Sequence, residues 1–161
     1  MLIRDAIAED FERILHLNEE SVHFLSPLTL ARLDALHAEA AYHRVIDVDG
    51  KIAGFLLAFR EGANYDGSNY VWFTERFDQF LYVDRVVVSK DFQGQGIGNK
   101  LYDDIFTFAR NSGVSRIACE FDIDPPNHAS QRFHERFGFS EVGTRSYGDV
   151  VKQVSLQMVS V

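Results

Sequence analysis

The residues with the plainest chemical meaning lie in one run, Val86-Val87-Val88-Ser89-Lys90-Asp91-Phe92-Gln93-Gly94-Gln95-Gly96-Ile97-Gly98-Asn99-Lys100. An apolar strand feeds a glycine-rich turn, and the turn opens a helix. Glycines permit positive φ and close backbone approach. The start of a helix adds unpaired N–H groups and the positive end of the helix dipole. This combination holds an anion, above all a phosphate. Two common phosphate motifs do not fit. A G-x-G-x-x-G fingerprint starting at Gly94 needs a third glycine where the chain has Asn99. A P-loop needs G-K-[ST], and Gly98-Asn99-Lys100-Leu101 does not supply it.

Other reactive side chains are sparser. Cys119 is the single cysteine, so no internal disulfide can form and a Cys-rich zinc site is excluded. It alternates with Ile117 and Phe121, which reads as a small buried hydrophobe on a strand, the alternative being an acyl-carrying nucleophile. His16, His23, His37 and His43 show no ligand spacing within one element. They read as surface or satisfied core residues, and no metal is expected. Lys plus Arg is 16 against 24 Asp plus Glu, a formal charge of −8. That balance disfavours nucleic acid, whose phosphates need a basic counter-surface, and mildly favours cationic partners such as amines. No apolar run reaches the roughly 18–20 residues of a membrane span, and Met1-Leu2-Ile3-Arg4-Asp5-Ala6 does not read as a signal peptide. No membrane partner and a cytoplasmic location are expected.

Stepping outward from the turn, the pattern predicts one domain over residues 1–161. Leu2 to Asp5 reads as a strand. Ala8 to Glu20 reads as a helix, with Phe11, Ile14, Leu15 and Asn18 on one face and Glu9 and Asp10 in its first turn. A second helix covers Thr29 to Ala38. Tyr42 to Val48 and Lys51 to Arg60 form a hairpin turning at Asp49-Gly50. Glu61 to Gln79 reads as a long aromatic-rich loop holding Tyr65, Trp72, Phe73 and Glu75. Such loops are usually functional or mobile, and its aromatics either line a substrate pocket or anchor the loop. Phe80 to Val88 is the clearest strand. A helix follows from Gly96 to Asn111, then a strand from Val114 to Phe121, a helix capped by Asn127 and stopped by Gly138, and strands Glu141 to Tyr147 and Val150 to Met158 turning at Gly148-Asp149. Interleaved strands and helices with hairpins at each end predict an α/β fold with a mixed sheet and helices on its faces.

Gln93, Gly96 and Gly98 match Q/R-x-x-G-x-G/A, and here the chain resembles the GNAT (GCN5-related N-acetyltransferase) superfamily. The apolar strand before the motif, the helix after it and the run Asn127 to Phe139 with its terminal Gly138-Phe139 extend the resemblance over nearly the whole chain. It implies a GNAT fold with a central, mostly antiparallel mixed sheet, and transfer of the acetyl group of acetyl-CoA to a primary amine of a small molecule or peptide. Gln93, Gly94, Gln95, Gly96, Ile97, Gly98, Asn99 and Lys100 would cradle the pyrophosphate. The strand Val86-Val87-Val88 would bond the pantetheine arm like an added strand, with the next strand splayed away to make room. Asn127 would touch the same arm. Homodimers are common in the family.

Direct attack on a thioester asks for three things. The amine, with a pKa of about 10, must lose a proton. The developing oxyanion needs a fixed donor, a backbone N–H near Val87. The departing thiolate must take a proton or leave without one. The family's usual proton donor is a tyrosine four residues before the Gly-Phe pair, and this chain has His134 there. His134 could donate, act as a base, or pack. Asp84 and Glu120 are the candidate bases. A carboxylate on an otherwise apolar strand needs a partner or a purpose, and strict alternation puts Asp84 on a face with Tyr82, Val86 and Val88, with Arg116 as a candidate ion-pair partner. Tyr65, Trp72, Phe73 and Glu75 would receive a cationic substrate through ring faces and carboxylates. A second reading is a catalytically silent acyl-CoA-binding module acting as sensor or scaffold, which the histidine at 134 keeps open.

Overall fold

A computed structural model gives the fold and describes residues 1–21, 25–147 and 152–161. The chain order is β1 (Leu2–Asp5), α1 (Phe11–Glu20), α2 (Leu30–Glu39), β2 (Tyr42–Val48), β3 (Lys51–Arg60), α3 (Ser68–Thr74), β4 (Leu81–Val88), α4 (Ile97–Asn111), β5 (Arg116–Asp124), α5 (His128–Arg136), β6 (Ser140–Tyr147) and β7 (Lys152–Ser160). The strands form one sheet in the order β1-β2-β3-β4-β5-β7-β6. β4 and β5 run parallel, and the other neighbouring pairs run antiparallel. The α/β class and mostly antiparallel sheet match the expectation.

Each face of the sheet carries a separate apolar layer. On one face Ile97, Leu101, Tyr102 and Ile105 of α4 pack on Ile46, Leu56, Leu81 and Val83. On the other, Phe11, Ile14 and Leu17 of α1 and Leu33 of α2 pack on Val45, Ile52 and Phe55. Tyr70 and Phe73 of α3 extend that second layer over Leu57, Phe59, Tyr82, Val154 and Leu156. Period-two strands and period-3.6 helices thus present matched apolar stripes.

Three elements differ from their sequence reading. The first helix begins at Phe11, because Ala8–Asp10 is a 3₁₀ turn. Asp10 accepts from the Ile7 amide at 2.9 Å and pairs with Arg4 at 2.7 Å, so its carboxylate is occupied at the turn. The aromatic segment is not a loop throughout: α3 lies within it. Its apolar residues recur at helical spacing, but it is too short for periodicity to stand out against the surrounding glycines and asparagines. The fifth strand runs on to Asp124, where a cis peptide joins Pro125. The Asn127 cap is as expected, its side chain accepting from the Ser130 amide at 3.2 Å. The turn proposed at Gly148-Asp149 lies outside the described residues, as does His23.

Candidate active site

The end of β4 is held before the glycine turn begins. Ser89 is buried, accepts from the Asp91 amide at 3.3 Å and from Arg13 of α1 at 3.2 Å. The backbone then passes through Gly94 at φ 78° and Gly96 at φ 74°, left-handed values that a side chain rarely adopts. An added Cβ at either would meet nothing within 4 Å. Backbone conformation, not crowding, therefore requires these glycines, and the space above them is open. Lys100 N–H bonds the Gly96 carbonyl at 3.0 Å as the first bond of α4. The amides of Ile97, Gly98 and Asn99 precede that bond and are left for a ligand. Lys100 is corrected here: its amide is used inside the helix, and its side chain lies in a separate shallow depression with Met1, Ile3 and Asp103. Gln95 is exposed and stands off the cavity wall.

Beside the turn, β4 and β5 pair only at Leu81 with Ile117 and Tyr82 with Ala118, and then diverge. The gap is a cavity of about 620 Å³, walled by 83–88 of β4, 119–122 of β5, Gln93, Gly94, Gly96 to Asn99, Tyr102, Asn127 and His134. Backbone N–H and C=O groups along β4 that a paired strand would have satisfied face this cavity, an open edge for an extended ligand arm. On the other side β4 carries a bulge, since Leu57 pairs with Arg85 while Ala58 pairs with Val83. The bulge breaks strict alternation. Tyr82 faces the α3 layer, whereas Val86 and Val88 pack toward α4 and Val87 toward α1. Asp84 therefore does not share a face with Val86 and Val88.

Two carboxylates reach the cavity from opposite strands. The Asp84 side chain, about 5% exposed, pairs with Arg85 at 2.7 Å and accepts from the Tyr65 hydroxyl. Arg85 in turn donates to Asn18 at 3.0 Å and to the Ser26 carbonyl at 3.2 Å. The partner anticipated in Arg116 is wrong, for that guanidinium lies over the Phe77 ring. Glu120 lines the cavity and accepts from the Tyr82 hydroxyl at 2.7 and 2.9 Å. Burial pushes its carboxyl up to about 8; the Tyr82 hydrogen bond opposes this, and the nearby Asp84 charge adds to it. Asp84 has a cationic partner in Arg85, and Glu120 has none among the described residues. Asp122, next along β5, pairs with Lys152 at 3.1 Å.

A glycine turn with open helix-start amides, a parted pair of parallel strands and a half-buried carboxylate are now in one cavity. The model of the acetyltransferase (GNAT) family matches residues 2–139. This chain belongs to that family. The GNAT chain is also 34% identical over 58 residues to N-alpha-acetyltransferase 30 of Schizosaccharomyces pombe; the match spans 36% of this chain and 37% of that one. Its fold is similar to Ard1 from Thermoplasma volcanium, with a TM-score of 0.80 at 19% identity over 99% of this chain and 97% of that one. It is also similar to the ribosomal-protein-S18-alanine N-acetyltransferase of Escherichia coli, with a TM-score of 0.75 at 16% identity over 99% and 93%. A third similar structure, yncA from Salmonella typhimurium, was solved with its cofactor acetyl-CoA and gives a TM-score of 0.72 at 19% identity over 99% and 92%.

In this chain His134 is buried at the cavity wall, and both its nitrogens are engaged. Nδ1 lies 2.7 Å from the Ser130 carbonyl, which can only accept, so Nδ1 carries the proton. Nε2 then accepts from the Tyr102 hydroxyl at 2.6 Å. Burial lowers the imidazole pKa, with the Ser130 bond opposing. His134 is thus a neutral acceptor, a poor starting point for donating a proton. Sequence reasoning missed Tyr102. Its i, i+1 neighbourhood with Leu101 marks it as core, and nothing local signals a partner 32 positions away. Cys119 is buried with its thiol pKa raised by burial, which fits the apolar reading.

The four aromatic-segment residues in this GNAT chain separate. Tyr65 stacks on Phe59 at 4.4 Å between centroids and bonds Asp84. Phe73 is buried in the core, so it does not face a substrate. The Trp72 indole lies against β6, and Arg76 covers it at 4.1 Å. Glu75 is exposed and pairs with Arg76 at 3.4 Å. Of the four, only Tyr65 touches a residue that lines the cavity.

Proposed function

We propose that this chain transfers the acetyl group of acetyl-CoA to a primary amine, with the α-amino group of a polypeptide as the favoured acceptor. The single observation that carries the reading is the cavity. One wall ends in the open amides of Ile97, Gly98 and Asn99, and the opposite strand presents Glu120, a carboxylate with no cationic partner among the described residues. Pyrophosphate suits the first end and an ammonium the second. The sequence relationship to an N-alpha-acetyltransferase supports an α-amine over other amines. Gln93, Gly94, Gly96 and Gly98 shape the turn, β4 backbone holds the extended arm, and Asn127, whose oxygen caps α5, lines the cavity with its NH₂ group left to donate. The chain is read as a single cytoplasmic domain.

The bound amine must become neutral before its nitrogen can attack. Glu120, with its pKa near neutrality, accepts that proton directly or through one water. The N–C bond then forms as the C–S bond breaks, and the acylated nitrogen sheds its second proton to water. A backbone N–H of the β4 bulge region is the fixed donor available to the oxyanion. His134 contributes position rather than a proton, since its one N–H is bound to Ser130, and the sulfur departs as thiolate.

The deciding measurement is thiol release from acetyl-CoA in the presence of an amine panel. Short peptides with free N-termini should release thiol, and the same peptides with blocked N-termini and a free lysine should do so far less. Turnover with lysine alone would change the acceptor. Acetyl-CoA binding without turnover on any amine would favour the silent-module reading.

A further inference from the structure

The side chains of β4 record where its bulge lies. Leu81 and Val83 pack in the α4 layer and Tyr82 in the α3 layer, as alternation requires. Beyond the bulge Val86 and Val88 again face α4, and Val87 faces α1. The two residues between, Asp84 and Arg85, share the face of α1 and α3. Their side chains bond each other, Arg85 Nε donating to Asp84 Oδ2 at 2.7 Å. Neighbours in a regular strand point to opposite faces, so this bond exists because the strand carries an extra residue there.

The pair is tied down by α1, by the connection after it and by the segment before α3. Arg85 is buried and donates through one terminal nitrogen to Asn18 Oδ1 at 3.0 Å and to the Ser26 carbonyl at 3.2 Å, and through the other to Ser26 Oγ at 3.2 Å. Asn18, also buried, donates to the same Ser26 carbonyl at 3.1 Å. The other Asp84 oxygen accepts from the Tyr65 hydroxyl, whose ring stacks on Phe59 with Arg32 over it. The opposite face at this point is the apolar α4 layer, which would leave either charge unpaired. A slip of the bulge by one residue would turn one of them into that layer. The charges therefore fix its place.

We propose that Asp84 and Arg85 are positioning residues, a side-chain lock that holds the β4 bulge in one register and so aims its backbone N–H at the thioester carbonyl oxygen. The inference rests on the bulge being the oxyanion donor.

The test is difference infrared spectroscopy of carbonyl-labelled acetyl-CoA bound to the full chain without amine, alongside kcat and the acetyl-CoA Kd. A hydrogen bond to the carbonyl oxygen weakens the C=O bond and lowers its stretching frequency. Arg85→Met alone would strand the buried Asp84 charge. The informative variant is Asp84→Leu with Arg85→Met, whose apolar side chains suit either face. Its carbonyl band should lie higher than in wild type, and kcat should fall at least about 10-fold, with Kd within about 3-fold because the glycine turn is untouched. Asn18→Ala removes one outer tie and should raise the band by less. Asp84→Asn keeps an oxygen for Arg85 and a polar group that the α4 layer rejects, so it should retain most of the band shift. A wild-type band in whichever of the first two variants folds would overturn the proposal. So would equal losses in Asp84→Asn and the double variant, which would mean that the Asp84 charge itself acts. If wild type already shows the band of a thioester in an aprotic solvent, no donor reaches the oxygen, and the oxyanion reading falls together with the lock.

Discussion

At the residue scale the site sets one donor-only group against one acceptor-only group, and protonation states follow. His134 illustrates it. Its Nδ1–H is fixed on the Ser130 carbonyl, so Nε2 can only accept from Tyr102. Removing the ring leaves the buried Tyr102 hydroxyl without its partner, which costs about 1–3 kcal/mol. His134→Ala should therefore lower stability by about that much, and Tyr102→Phe should recover part of it. Urea unfolding of both single variants and the double variant gives the coupling directly. The pH profile of kcat/KM should keep its shape in His134→Ala. A falling limb between pH 6 and 7 in wild type that disappears in the variant would restore His134 as the acid. Gly96 gives a second expectation. Its φ of 74° excludes most side chains, and a carboxylate there would repel the pyrophosphate. Gly96→Asp should lose at least about 100-fold in acetyl-CoA affinity by calorimetry, corresponding to roughly 2.7 kcal/mol, with ATP binding in neither protein.

At the element scale the parted strands and the seated helix decide where these residues meet. Gly143 is the contact point between α3 and β6, and the Trp72 ring cannot bend out of the way of a methyl group 2.5 Å from it. Gly143→Ala should cost about 1–3 kcal/mol by overpacking and should also lower kcat, because Tyr70 and Phe73 of α3 pack on Tyr82, the donor to Glu120. Thermal melts paired with turnover at fixed acetyl-CoA check this; a destabilised variant with wild-type turnover would uncouple α3 from the site. The same elements show what a single sequence carries. The turn from Gln93 to Gly98 was legible because its chemistry is local: glycines, a strand before and a helix after, all within 15 residues. The hairpin at Asp49-Gly50 was legible for the same reason. The β4 bulge at Asp84, the Arg145–Asn69 bond and the Tyr102–His134 bond were not. Each depends on register or on partners 32 to 76 positions apart, which no local period records. Alternation gave Asp84 the wrong face-mates because one extra residue in a strand leaves no mark on composition.

At the scale of the whole molecule two buried titrating groups pull stability in opposite directions. His43 of β2 packs against Phe11 and Phe55, its Nδ1 lies 2.7 Å from His37 Nδ1, and its Nε2 has no partner among the described residues. Burial, with the neighbouring His37 adding to it, lowers its pKa to about 4. The unfolded chain, with an ordinary histidine near 6.5, binds more protons between these values, so stability falls as pH drops from about 6.5 to about 4. Glu120 runs the other way. Its folded pKa of about 8 exceeds the unfolded value of 4.5, so the stability it contributes is complete below 4.5 and is lost as pH rises through about 8. If Glu120 is the base proposed above, the site costs stability at the pH where that carboxylate must be charged, a conflict expected of a catalytic group with a shifted pKa. Between pH 4.5 and 6.5 the two effects oppose, and the wild-type curve should be flatter than either alone. Single variants separate them. In His43→Leu the stability at pH 5 relative to pH 7 should rise by about 2 kcal/mol over that of wild type, read as the urea midpoint at each pH. In Glu120→Gln the loss from pH 6 to 9 should vanish, and the fall below pH 6.5 should steepen because the opposing Glu120 effect is gone. An unchanged pH 7-to-5 difference in His43→Leu would mean that the histidine is already charged in the native protein, and that the orphaned Nε2 donates to a group outside the described residues.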